Sequence, residues 1–432
     1  MSATTTERPA RADQPDAAPV VAAPVSWKAP ITYAVFGLVA LLAFGVFAEG
    51  GLTSTFGLSF NADPVQLSPI EAPSRGVATA LSLVCLAVAA YSARLASRNR
   101  RTPVWVGALF GAAFVLAFLC WAIAGKSISL VGLLQGSLLL AVPLVFGALS
   151  GVLCERAGVI NIAIEGQLLA GAFLSAVVAS LANNPYAGLV AAPLAGVAVA
   201  ALLAVFALRY VVDQIIVGVV LNVLVIGVTS FLYGQLLAPN QDALNTPGTF
   251  DSLKVPLLGD IPVVGRVLFD QSVIVYLMYV VVIAIHVALF KTRWGLRVRA
   301  VGEHPTAADT VGINVNRLRF RNVLLGGAVA GLGGAFFTLG SVGAFGQEMT
   351  AGKGFIALAA MIFGRWSPLG ALGAALLFGF ADQLQSILGI VGTPIPGQFM
   401  LMAPYLATIF AVAGLVGRVR APAASGQPYV KA

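Results

Sequence analysis

Apolar runs close to twenty residues long recur along the whole chain, and nothing constrains its fold more. They lie at approximately 31 to 48, 77 to 93, 104 to 124, 131 to 152, 161 to 181, 187 to 208, 214 to 237, 272 to 290, 322 to 340, 354 to 364, 367 to 388 and 398 to 417. A helix rises about 1.5 Å per residue, so about 20 apolar residues cross a hydrocarbon layer roughly 30 Å thick. With 59% hydrophobic and only 10% charged residues among 432, an ordinary soluble domain is excluded. The prediction is an all-α, polytopic integral membrane protein of about 10 to 12 transmembrane helices, because helices satisfy their own backbone inside lipid. The run at 354 to 364 is short for a crossing.

Charge supplies orientation. A formal net charge of +8 would suggest a nucleic-acid partner in a soluble protein, but here the basic residues fall on one side if each run crosses once. Arg94, Arg98, Arg100 and Arg101 follow the second run; Lys291, Arg293, Arg297, Arg299, Arg317, Arg319 and Arg321 fill the connection after the eighth; Arg418, Arg420 and Lys431 close the chain. The opposite loops, 49 to 76, 238 to 271 and 341 to 353, hold only Arg75, Lys254, Arg266 and Lys353. The positive-inside rule places the basic side and both termini in the cytoplasm, and no nucleic acid is implied. The chain divides into a disordered cytoplasmic N-terminus (1–30), N-terminal transmembrane segments (31–130), a transmembrane core (131–420) with an inner loop at 291–321, and a cytoplasmic tail (421–432). Residues 1–30 are too long and too mixed in charge for a signal peptide.

Catalytic chemistry finds no foothold. Cys85, Cys120 and Cys154 form no disulfide or metal pattern, and His286 and His304 lack partners at metal-ligand spacing. Gly125-Lys126-Ser127 resembles the end of a phosphate-binding loop, but Cys120 stands where that motif needs glycine. No catalytic residue, metal or cofactor is predicted.

Polar groups inside apolar runs are the stronger signal. Glu165 and Asp382 lie within such runs, where an ionised carboxylate costs at least ~2.5 to 3.5 kcal/mol; Glu155 and Asp213 sit near run ends. Asn161, Gln167, Asn222, Gln383 and Gln385 join them, and Asn161 and Glu165 share a face at helical spacing. Hydrogen bonding between helices, worth ~0.6 to 2 kcal/mol per contact, accounts for Asn222 as well as substrate contact does. For Glu165 the balance shifts toward function, with Arg156 a candidate partner. Gly158, Gly166 and Gly171 suggest an interrupted helix of the kind that lines transporter cavities. Gly327 and Gly331 have small-xxx-small spacing, which reads as close helix packing. The outer connection 238–271 reads as an ordered cap or gate. The inner one carries a short helix from Pro305 to Gly312, suited to docking a soluble partner.

Four segments carry a resemblance: CERAGVINIAIEGQLLAGAF, DQIIVGVVLN, RAVGEHPTAADTVGINVNRLR and MTAGKGFIALAAMIFGRWSPLGALGAALLFGFADQLQ. In order and spacing they resemble the permease subunits of ABC importers for nucleosides, within the sugar and branched-chain amino acid permease family. The resemblance covers roughly residues 130 to 420; the first 130 residues contain none of its motifs. It implies a permease fold of the vitamin B12 importer type (type II ABC importer). It also implies a second homologous permease, a separate ABC ATPase subunit, an extracytoplasmic substrate-binding lipoprotein and a nucleoside-like substrate. By that resemblance Asn161, Glu165 and Gly166 belong to the interrupted segment at the substrate pathway, and Asp213 and Asn222 to the next polar motif; Gln167 and Asp382 join the pathway candidates as polar groups within apolar runs. Glu303, Pro305, Ala307, Ala308 and Gly312, with Arg317 and Arg319 beside them, belong to the ATPase-coupling loop. Many ABC permeases have Glu two residues before the second Ala of that loop; Thr306 stands there in this chain. The alternatives left open are an ion-coupled secondary transporter, with Glu165 or Asp382 titrating, and a membrane assembly subunit with no pathway of its own.

Overall fold

The structure, a computed structural model, describes residues 27–60, 65–393, 402 and 420–431. The run at 398–417, the N-terminus up to residue 26 and Arg418 therefore lie outside the described residues.

Ten helices among the described residues are long and apolar enough to cross a membrane. They are α1 (Lys28–Val46), α2 (Ser74–Ser97), α3 (Val104–Ala122), α4 (Leu130–Glu155), α5 (Ile164–Ala182), α6 (Pro185–Arg209), α7 (Gln214–Leu237) and α8 (Val273–Lys291), then α11 (Val315–Val342) and α13 (Pro368–Val391). Between α8 and α11 lie two short helices, α9 (Arg293–Glu303) and α10 (Pro305–Thr310). Between α11 and α13 lies α12 (Lys353–Phe363). At 11 residues α12 rises only about 16 Å, half of a hydrocarbon layer.

Side chains close several helix starts as polar residues ahead of apolar runs should. Ser129 accepts from Gly132 N at α4, Asn184 from Tyr186 N at α6, and Asn314 from Arg317 N at α11. Asp213 accepts from Ile215 N and Ile216 N, so its carboxylate is the cap of α7. Two starts differ from the expectation. The helix expected from 161 begins at Ile164, and the one expected from 322 begins at Val315, which moves Arg317, Arg319 and Arg321 from the loop onto α11.

Two compact units make up the chain. The smaller, residues up to Phe47 with 78–118, is held by rings: Tyr33 stacks on Phe110 at 4.6 Å, and Phe44 meets Phe114 and Phe118 edge-on at 5.8 and 5.7 Å. The larger comprises 48–77 and 119–432, so the connection between α1 and α2 belongs with the core. The reason is a small sheet that the all-α reading did not anticipate: β1 (Thr53–Gly57) pairs antiparallel with β2 (Ile70–Pro73) and parallel with β3 (Ser127–Ser129), which leads into α4. A second hairpin, β4 (Ser252–Lys254) with β5 (Asp270–Ser272), gives the outer connection its order.

In the larger unit α4 is the buried centre, flanked by α5, α11, α12 and α13. Glycine sets the closeness of α5, α6 and α11. A Cβ at Gly327 would strike Ala200, and one at Gly331 would strike the Ala192 carbonyl; one at Gly171 or Gly196 would strike the backbone of Gly331 or Gly327. Gly227 on α7, by contrast, has open space around it. Gly331→Val should lower stability in detergent by about 1 to 3 kcal/mol through overpacking, read as a lower Tm and poorer yield, while Gly227→Ala should leave both unchanged. Equal tolerance at the two positions would contradict this packing.

Candidate functional site

The site is built on a break between α4 and α5. After Glu155 the chain turns through Arg156–Gly158, where Gly158 has φ +89°, and runs without helical structure from 159 to 163. It climbs back along α4: Asn161 Nδ2 donates to Ser150 Oγ at 3.1 Å, and a Cβ at Gly147 would lie 3.1 Å from Ile164 Cγ2. Gly147 is eight residues above the end of α4, so α5 starts about 12 Å up from that end. The polar stretch thus lies alongside α4 and not beyond its end.

A second break meets the first at the same level. A Cβ at Gly354 would stand 2.5 Å from Glu165 Cα, while at the far end Trp366 Nε1 donates to Glu155 Oε2 at 2.5 Å. The half-length α12 therefore descends from the level of Glu165 to that of Glu155. The segment 343–352 brings the chain down to its start.

Glu165 joins the two breaks. Its Oε1 accepts from Thr350 Oγ1 at 2.6 Å and Gly352 N at 2.8 Å, and its Oε2 accepts from Gly354 N at 2.6 Å. Those amides are the unpaired donors at the positive end of α12, which favours a negative partner. Arg156 is not that partner: its Nε donates to Trp366 O at 2.8 Å, its Nη2 to Arg365 O at 3.3 Å, and its guanidinium lies over the Phe290 ring. Asp382 pairs with the Nζ of Lys353, the first residue of α12. Lys353, expected in an outer loop, instead sits beside Glu165 at the α12 start.

The predicted amides serve the broken backbone. Asn222 accepts from Gly166 N at 2.8 Å and donates to Ile162 O at 2.9 Å. Asn161 and Gln167 exchange bonds at 3.0 and 3.3 Å, with Ser150 alongside. Gln214, not singled out from sequence, accepts from Ile160 N at 2.7 Å. Thr350, Gly352, Gly354 and Ser150 were also missed as partners. The signal for Thr350, Gly352 and Gly354 is the polar TAGKG ahead of a short apolar run, a pattern of a helix start; Ser150, inside an apolar run, carries no such signal.

On the Glu155 side of the core, α10 begins at Pro305 and ends at Thr310, and the turn after it holds Gly312, whose φ is +84°. Ala308 points inward to Val301 and Val315, whereas Thr306 and Ala307 are exposed. Glu303 accepts from Ala423 N at 3.2 Å. Arg317 is exposed, but Arg319 is fully buried and donates through Nε to Ala157 O at 3.2 Å, so it presents nothing to a docking surface. Among the described residues no cluster of His, Cys, Asp and Glu could hold a metal. Lys126 of the phosphate-loop-like tripeptide donates to the carbonyls of Val391 and Gly392.

A bundle of membrane helices with a broken helix facing a half-length helix, and a short amphipathic pair on one face, defines a multi-pass permease. The chain belongs to the family described as the permease component of the branched-chain amino acid transport system, which matches residues 133–417. It is 42% identical over 313 residues to a guanosine ABC transporter permease of Bacillus subtilis, covering 69% of this chain and 96% of the relative. A nucleoside ABC transporter permease of Lactococcus lactis is 40% identical over 308 residues, 68% of this chain and 95% of the relative. A putative glucose ABC transporter permease of Haloferax volcanii is 32% identical over 300 residues, 64% of this chain and 89% of the relative. No solved structure matches the chain.

Glu165→Ala strands the three donors of Thr350, Gly352 and Gly354. At about 0.6 to 2 kcal/mol per membrane contact the loss should total about 2 to 6 kcal/mol, visible as a drop in Tm of the purified permease, and Thr350→Ala should cost only its own share. An unchanged Tm for Glu165→Ala would show that the carboxylate does not hold α12.

Proposed function

We infer that this chain is a transmembrane permease subunit of an ATP-binding cassette importer that moves nucleosides inward across the cytoplasmic membrane. The observation that carries this is the 42% and 40% identity, across nearly the full length of the relatives, to permeases named for guanosine and for nucleosides. The chain works with a separate ATPase subunit, a second homologous permease and an extracytoplasmic substrate-binding lipoprotein, as the resemblance implies. Both termini face the cytoplasm, where α9 and α10 meet the ATPase through the exposed residues Thr306, Ala307 and Arg317. No residue of this chain is catalytic.

The pathway runs beside the broken segment. Asn161, Gln167, Asn222 and Glu165 are engaged with backbone and with one another, so their first role is to hold an unwound stretch open at mid-depth. Remaining lone pairs and amide hydrogens there, over apolar walls, suit a solute with hydroxyls and a ring. ATP-driven closure displaces α9 and α10, and the packed helices α8 and α11 move with them as rigid elements. Glu165 is held by three donors and Asp382 by Lys353, which gives both acids a structural use, and the relatives are named as ABC permeases.

Reconstitution with the partner permease, ATPase and binding protein tests this. Labelled guanosine should accumulate only with ATP present, be unaffected by a protonophore, and be displaced by unlabelled nucleosides but not by glucose. Uptake that survives ATP depletion and collapses with the ion gradient would overturn the reading; displacement by glucose alone would reassign the substrate to a sugar.

A further inference from the structure

The C-terminal segment is absent from every role assigned above, yet it touches each part of the coupling apparatus in turn. Ala424, 2% exposed, donates its N–H to Gly302 O at 2.9 Å, and Ala423 N reaches Glu303 Oε2 at 3.2 Å, so the segment is fastened to the end of α9. Two residues on, Gly426 lies against Ile160 of the broken segment, where an added Cβ would come within 2.7 Å of Ile160 Cδ1. Gln427 O then accepts from Arg319 Nη1 at 2.8 Å. Tyr429 packs on the cluster of Val301, Ala308 and Val315, and Lys431 pairs with Asp309 on α10 at 3.7 Å.

Arg319 is the node. It is the largest fully buried side chain among the described residues, and a buried cation is tolerated only where its hydrogens find acceptors. Its Nε and Nη1 find two backbone carbonyls from distant stretches, Ala157 O at the foot of the broken segment and Gln427 O in the tail, while its buried Nη2 has no partner among the described residues. A guanidinium can hold two segments at a fixed angle because it is planar and presents its donors as a rigid fork; a lysine ammonium cannot. Gly158 leaves the room, since a Cβ there would stand 2.7 Å from Arg319 Nη2.

Resting on the reading of the chain as an ATP-driven permease, we propose that residues 422–431, pinned by Arg319, form a coupling strap that carries movement of α10 directly to the broken segment 157–160. The route is short: Asp309 and Ala308 hold Lys431 and Tyr429, the tail backbone holds Arg319, and Arg319 and Gly426 bear on Ala157 and Ile160. Ile160 N is in turn held by Gln214 and Ile162 O by Asn222. Displacement of α10 therefore reaches the unwound stretch through the tail and the first turns of α11, where Arg319 sits, without travelling along the length of α8 or α11. Arg319 acts here as a positioning residue.

The test uses the full importer, permease pair, ATPase and binding protein, in proteoliposomes, comparing wild type with Tyr429→Ala/Lys431→Ala, Tyr429→Phe and a chain ending at Ala421. In Tyr429→Ala/Lys431→Ala and in the truncated chain, ATP hydrolysis and subunit stoichiometry should stay near wild type while nucleoside taken up per ATP falls about tenfold, the size of a typical coupling energy. Tyr429→Phe keeps the ring on the apolar cluster and loses only the hydroxyl's bond to Asp309, so it should retain most of the ratio. An unchanged ratio in the double and truncated variants would overturn the strap, and so would a parallel fall of hydrolysis and uptake with loss of assembly, which marks a merely structural tail. If wild-type uptake does not depend on ATP, the functional reading itself fails, independently of the tail.

Discussion

Everything in the core depends on how one broken backbone is satisfied inside a bundle of apolar helices. Hydrocarbon offers no water to exposed N–H and C=O groups, so an unwound stretch survives only where protein supplies partners. Glu165 meets that constraint from one side, binding the hydroxyl of Thr350 and the amides of Gly352 and Gly354. One carboxylate thereby joins the start of α5 to the start of α12. The favourable field at the head of α12 offsets part of the desolvation that a buried carboxylate incurs.

The other carbonyls and amides of the break are met one by one. Gln214 takes Ile160 N, Asn222 takes Gly166 N and Ile162 O, and Arg319 takes Ala157 O. Gln214 and Asn222 come from α7 and Arg319 from α11. Movement of any of them is felt by the unwound segment, which is what a gate coupled to a distant energy source requires. Polar groups that cost free energy in lipid are therefore concentrated where motion must be transmitted, while glycine keeps the α5, α6 and α11 backbones in contact elsewhere.

Placement separates residues that sequence could not. Arg317 and Arg319 are two apart and both basic, yet one is exposed and the other fully buried, because on a helix they lie on different faces. Counting arginines toward the positive-inside rule treats them alike. Arg156 was the natural partner for Glu165 by proximity in sequence, but the chain reverses at Gly158 and carries Glu165 about 12 Å away along α4, leaving Arg156 against the carbonyls of Arg365 and Trp366.

The amino-acid sequence by itself determined that the chain is a mostly helical membrane protein, that a helix is interrupted in the stretch marked by Gly158, Gly166 and Gly171, and that Asn161, Glu165 and Asn222 are among its unusual polar groups. Those facts follow from local quantities: run length, composition and the cost of a charge in lipid. Only the tertiary structure decided what the polar groups bind. Thr350 and Glu165 are 185 residues apart, Arg319 and Gln427 are 108 apart, and no periodicity in the chain encodes which of several breaks will face which. Closure of the bundle brings two incomplete helices to one level. That closure turns an acid that looked misplaced into the partner of a helix terminus that had none.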